Sequence, residues 1–147
     1  MNQSQPGITR CMARHCGAAL GLVALTLASA ATGLAHAATT PQEQLGAYTT
    51  SAATNASAER GQAFFTSRHG RDWSCSTCHG AVPTQDGKHT VTGKAISPMA
   101  PAFNPTRFTD AGKTEKWFRR NCNDVVGREC TAAEKADLIS WLMTLKP

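Results

Sequence analysis

Acidic residues are missing from the start of this chain: residues 1–37 contain no aspartate or glutamate, although the 147-residue sequence carries ten. Other absences narrow the function classes. There is no run of like charge, and a net charge of +5 is too mild for a nucleic-acid-binding arm. The apolar stretch Gly17–Ala28 is too short and too rich in Ala, Gly and Thr to read as a membrane span. With 17% charged and 41% apolar residues, the chain is neither a disordered polyampholyte nor a multi-span membrane protein. No internal repeat and no strand-like alternation is visible. The length fits one small domain.

The acid-free stretch has an organisation of its own. Arg10, Arg14 and His15 precede the apolar run, and Ala35-His36-Ala37 supplies a small-residue exit. Together these read as a secretory signal peptide over residues 1–37, cleaved after about Ala37, which places the protein in a periplasm. Cys11 and Cys16 lie upstream of the apolar core, so neither sits where a lipoprotein cysteine would. Met12 makes a tidier initiator than Met1. Removing residues 1–37 takes Lys+Arg from 15 to 13 and leaves ten acids, a net of +3. Four cysteines remain, Cys75, Cys78, Cys122 and Cys130, in a compartment where spare thiols pair.

Residues 38–58 read as an N-terminal extension. It holds a short helix over Pro41–Tyr48 and a Thr/Ala/Ser linker from Thr49 to Ser57. Ser57 to Phe65 predicts a helix with a weak spot at Gly61. Residues 66–112 hold every proline between Pro41 and Pro147 and read mostly as loop, a length that usually wraps something. Thr114–Cys122 predicts another helix. Thr131-Ala-Ala-Glu134 is a capping box ahead of a helix whose apolar stripe is Leu138, Trp141, Leu142 and Leu145.

Cys75-Ser-Thr-Cys78-His79 carries the chemistry. Two thiols three positions apart reach the two vinyl groups of one haem edge, and the adjacent histidine then lies under the iron. One such motif predicts one covalent haem c, with Cys75 and Cys78 as thioethers and His79 as proximal ligand. A thioredoxin-like pair would need a βαβ context, which the sequence lacks. A zinc site of the four cysteines is a further alternative. The sixth iron position has four candidates. Met99, between Pro98 and Pro101, supplies a soft thioether that closes the site and makes a plain electron carrier. His69 and His89 lie in polar loops. Asn121 would otherwise be read as a helix cap.

Several segments together carry a family resemblance. They are Thr92-Gly-Lys94, Pro98-Met-Ala-Pro101, Arg107-Phe-Thr-Asp110, Lys116-Trp-Phe-Arg-Arg-Asn121-Cys122-Asn-Asp and Val-Val-Gly-Arg-Glu-Cys130. From Glu59 to the C-terminus the chain resembles exported monohaem cytochromes c of the SHP and cytochrome c double-prime type. The resemblance implies an all-α, small class I-like cytochrome c fold over 59–147, wrapped around one haem. It implies that Asn121, just before the first late cysteine, is a labile sixth ligand, and that Cys122 and Cys130 form a disulfide. One departure is Met99, where the family pattern has leucine, so Met99 stays open as the alternative ligand.

An amide oxygen is a hard, weak donor that suits ferric iron and has little hold on ferrous iron. Reduction would therefore open a site for O2, NO or CO. No acid–base pair is evident near the distal side, so an electron carrier or gas binder is expected rather than an enzyme. The expected partners are a redox cytochrome, multihaem or membrane-bound, and a small gaseous ligand, with no nucleic acid. Among weaker expectations, Trp117 lines the distal side, and Arg107, Lys94, Arg119 and Arg120 are candidates to meet the haem propionates. Gly61, Phe65 and Trp141 resemble the helix crossing of class I cytochromes c.

Overall fold

Side-chain caps decide where the helices begin. In this computed structural model, which describes residues 38–147 apart from Arg71, a Thr, Ser or Asp precedes each long helix and accepts from a backbone N–H of its first turn. The caps are Thr40 for α1 (Pro41–Ala52), Ser57 for α2 (Ala58–Thr66), Asp110 for α4 (Ala111–Val125) and Thr131 for α5 (Ala132–Thr144). A short α3 (Cys75–His79) lies between α2 and a two-stranded hairpin, β1 (Gly87–Lys88) with β2 (Ala95–Ile96). The signal-peptide reading of residues 1–37 lies outside the described residues.

Two helices are longer than the sequence suggests. α1 continues past Tyr48 because Thr49 turns its hydroxyl back onto the Leu45 carbonyl (2.7 Å) instead of breaking the helix. α4 starts earlier because Asp110 accepts from Lys113 N (2.8 Å), and it ends later, where Gly127 takes φ 81°. Strands of two residues are too short to show an alternating pattern, so the hairpin leaves no signal.

α2 crosses α5, and α1 also packs along α5. Gly61 makes the crossing possible, since a Cβ there would run into the Asp137 carbonyl. Phe65 packs on Trp141 with ring centroids 4.9 Å apart, and Phe65, Ile139 and Leu142 are fully buried. The buried Asp137 carboxylate closes the crossing by accepting from Ser57 N (2.6 Å) and Arg60 Nε (2.8 Å). α4 stands apart: among the described residues it packs backbone-close on no other helix to a comparable extent. No described helix is long and apolar enough to cross a membrane.

Candidate functional site

α3 holds the C-x-x-C-H residues on one short turn, begun where Thr77 Oγ1 accepts from Ser74 N (3.0 Å). Cys75 and Cys78 are free and half-buried. Burial pushes the Cys75 thiol up to about 11, the opposite of an activated redox thiolate. Cys122 and Cys130 are joined in a disulfide, which removes the four-cysteine zinc alternative. No cluster of His, Cys, Asp and Glu among the described residues could hold a metal unaided. Burial, helped by the charge of Arg107, pushes His79 down to about 4. Its imidazole is therefore neutral, as an iron ligand must be.

Two cavities of about 430 and 440 Å³ adjoin at His79. Ile96, Met99, Phe118 and Asn121 also line both. Cys75 and Cys78 border the second cavity, and Arg107 and Lys113 the first. Each volume lies in the range of cofactor pockets. The lining fits a haem: largely apolar walls, a neutral imidazole, two thiols at one edge, and cations for acidic side groups at the other cavity.

Asn121 lies inside α4, ahead of the helix end at Val125, so it is not a helix-end cap. Helical spacing puts it on the stripe of Thr114, Phe118 and Cys122, the face turned inward. Asn123, by contrast, spends its amide on the Arg119 carbonyl (2.7 Å) at the surface. Met99 sits on a pinned loop. Its N–H donates to the Pro83 carbonyl (3.0 Å), while Arg107 donates to the carbonyls of Pro98 (2.8 Å) and Ser97 (2.7 Å). His69 lines neither cavity; its Nε2 bonds to the Phe64 carbonyl (2.8 Å). His89 borders the second cavity, with Nδ1 accepting from Val91 N and Thr92 N.

Of the four cations expected near propionates, Arg107 lines the first cavity and Arg120 the second; Lys94 and Arg119 line neither. Trp117 lines the first cavity yet is 41% exposed, with Arg120 over its ring.

A family profile described as a domain of unknown function, DUF1924, matches residues 51–142. The cytochrome c-type protein SHP of Cereibacter sphaeroides is 50% identical over 108 residues, covering 71% of this chain and 83% of that protein. This chain belongs to the SHP family of c-type cytochromes. Oxidized SHP, described as an oxygen-binding cytochrome c, matches with a TM-score of 0.69 at 48% identity, covering 74% of this chain and 99% of that one. Cytochrome c'' from Methylophilus methylotrophus, whose solution structure addresses haem-ligand detachment, matches at 0.65 with 34% identity, covering 73% and 94%. The fold is thus the small all-α fold of this family, and cytochromes c of this kind carry a covalent haem c.

Sequence reasoning missed Phe118, Ile96 and Phe108 as wall residues. Phe118 was within reach, since it lies three positions before Asn121 on the same helical face. Phe108 and Ile96 come from loop and hairpin, where no periodicity points inward.

Proposed function

We propose that this chain is an exported monohaem electron-transfer cytochrome whose sixth ligand is redox-labile, so that the reduced protein takes a small diatomic ligand. Cys75 and Cys78 would tether the haem, His79 would be its fixed iron ligand, and Asn121 would be the labile second one. The observation that carries this reading is that His79 and Asn121 line the same two cavities. When bound, the haem supplies an iron that stores one electron and, reduced, has affinity for neutral diatomics.

The chain's own residues do the rest. Asn121 would offer a hard amide oxygen, a donor that suits ferric iron and has little hold on ferrous iron. Once free, its NH2 group is a hydrogen-bond donor at the margin of the site. Phe118, Ile96 and Met99 keep the walls apolar. Residues 1–37 serve as a signal peptide cleaved after about Ala37, residues 59–147 are the cytochrome c domain, and the protein works in a periplasm. Its electron partner is a further cytochrome, multihaem or membrane-bound.

The test is spectroscopic. Matured holoprotein is recorded ferric and dithionite-reduced, with and without CO. A high-spin ferrous spectrum that shifts with CO is expected, and Asn121→Ala should turn the ferric form high-spin. Unchanged spectra in Asn121→Ala would remove that residue from the site. The second reading, a plain electron carrier with stable His79/Met99 ligation, has its support in Met99 lining both cavities. It requires a ferrous form that refuses CO until Met99→Ala opens it.

A further inference from the structure

α1 is tied to the Asn121 side of the molecule. Gln44 and Tyr48 lie four apart on one face of α1. Gln44 is buried, and its Nε2 donates to the carbonyl of Phe108 (2.7 Å). Phe108 has φ 60°, a left-handed conformation that a bulky residue adopts only when its surroundings hold it there. The Phe108 side chain lines the first cavity and stacks on Phe118, which lines both. One turn further along α1, Tyr48 Oη donates to Glu115 of α4 (2.9 Å), and the buried Lys135 of α5 donates to the other oxygen of the same carboxylate (2.6 Å). Ahead of α1, Thr39 N donates to the Thr109 carbonyl (3.0 Å) and Ala38 bridges Asp110, the cap of α4. These ties grip the start of the helix that carries Asn121.

We propose that residues 38–48 form a distal strut, and that Gln44 and Tyr48 are positioning residues that set the stance of Phe108 and α4 and so govern how readily an outside ligand replaces the sixth one. The inference rests on the reading of α4 as the ligand-bearing helix. The cavities separate α4 from α2 and α3, and its other anchor among the described residues, the Cys122–Cys130 disulfide, lies at its far end.

Gln44→Met is an informative variant. It keeps the size and removes the donor to Phe108. It also removes Gln44 Oε1, which is buried without a hydrogen-bond partner, and this offsets part of the cost of leaving the Phe108 carbonyl without its donor. A residue with only a structural role would then leave ligand exchange unmoved. The experiment measures cyanide association with the ferric holoprotein, and CO association with the ferrous one, for wild type, Gln44→Met, Tyr48→Phe and Arg60→Met. Arg60→Met is the control: it breaks a comparable tie on the α2–α5 side and lines neither cavity.

Cyanide association should rise by about two- to thirty-fold in the two strut variants, the span set by network mutations elsewhere, and stay at the wild-type rate in Arg60→Met. Equal rates in all four proteins would overturn the strut. So would a rise in Arg60→Met equal to that in the strut variants, because general loosening would then explain it. The arms separate this inference from the functional reading: a wild type that refuses CO sinks the reading, while the cyanide rates still decide the strut.

Discussion

The two sides of the cavities are built differently. On the His79 side, backbone meets backbone. Gly61 lets α2 press onto the Asp137 carbonyl, and Gly87 lies so close to the Cys78 carbonyl that a Cβ would collide with it. On the Asn121 side, α4 is held mostly by the tips of side chains, through Gln44 on Phe108 and the Tyr48–Glu115–Lys135 chain, with two backbone ties from Ala38 and Thr39 at its start and one disulfide at its far end. Close backbone packing has one arrangement, because any shift makes a clash. Polar tethers on a helix standing off from its neighbours permit small displacements at little cost. His79, the proposed fixed ligand, thus sits on the rigid side, and Asn121, the proposed exchangeable one, on the adjustable side.

The severest way to break this comparison is to remove what lies between the sides. Cys75→Ala with Cys78→Ala prevents haem attachment. The walls of both cavities then lose the apolar burial that the haem would supply, a loss on the order of several kcal/mol at about 25 cal/mol per Å². That is comparable with the whole stability of a small domain, about 5–15 kcal/mol. The haem-free variant should lose most of its far-ultraviolet circular dichroism at 25 °C, and hydrogen exchange should show α4 unprotected before the α2–α5 crossing. Protection lost equally on both sides would erase the distinction.

Gly61→Ala attacks the rigid side alone. In an exposed helix interior this change gains about 1 kcal/mol. Here the new methyl meets the Asp137 carbonyl, and overpacking should prevail, with a net loss of about 2 kcal/mol in chemical denaturation. Cyanide association with the ferric form should stay unchanged, since the residue lines neither cavity.

Breaking the disulfide attacks the adjustable side. Cys122→Ser with Cys130→Ser opens a loop with a sequence separation of 8. Chain entropy puts the loss at about 2–3 kcal/mol. Unlike Gly61→Ala, this pair should also change cyanide association, because Cys122 directly follows Asn121, the proposed ligand. Similar kinetics in the two variants would mean that both sides yield alike.

The contrast was only half legible in the sequence. The rigid side declares itself locally. C-x-x-C-H and the Thr131–Glu134 capping box are short-range patterns, and the structure contains both, while the crossing of Gly61 and Phe65 with Trp141 was expected from resemblance. The adjustable side is written in long-range partners. Gln44 in Pro41-Gln-Glu-Gln44 reads as an exposed helix residue until Phe108, 64 positions later, turns its carbonyl toward it. Tyr48 and Glu115 are 67 positions apart, and no spacing rule joins them. Asn121 was nominated through resemblance, although an asparagine on the apolar face of a helix is itself a signal. The linker reading of Thr49–Ser57 failed at its start because a threonine hydroxyl can serve its own helix as readily as break it.

The smallest effect tests the tether by pH. Burial raises the Glu115 carboxyl, but hydrogen bonds from Lys135 and Tyr48 outweigh it and hold the group below the usual carboxylate range. A depressed folded-state value means that this contribution is complete above the ordinary carboxylate pKa and is lost as pH falls through the depressed one. Glu115 is half-exposed, so the tie contributes no more than about 1 kcal/mol. Stability of the wild type relative to Glu115→Gln should therefore be flat from neutral pH down to the ordinary carboxylate range, then converge in acid. Cyanide association, corrected for the ionisation of cyanide itself, should rise over the same interval in wild type and stay level in Glu115→Gln. A rise of equal size in both proteins would assign the acid response to another group and leave the Tyr48–Glu115–Lys135 chain with a packing role only.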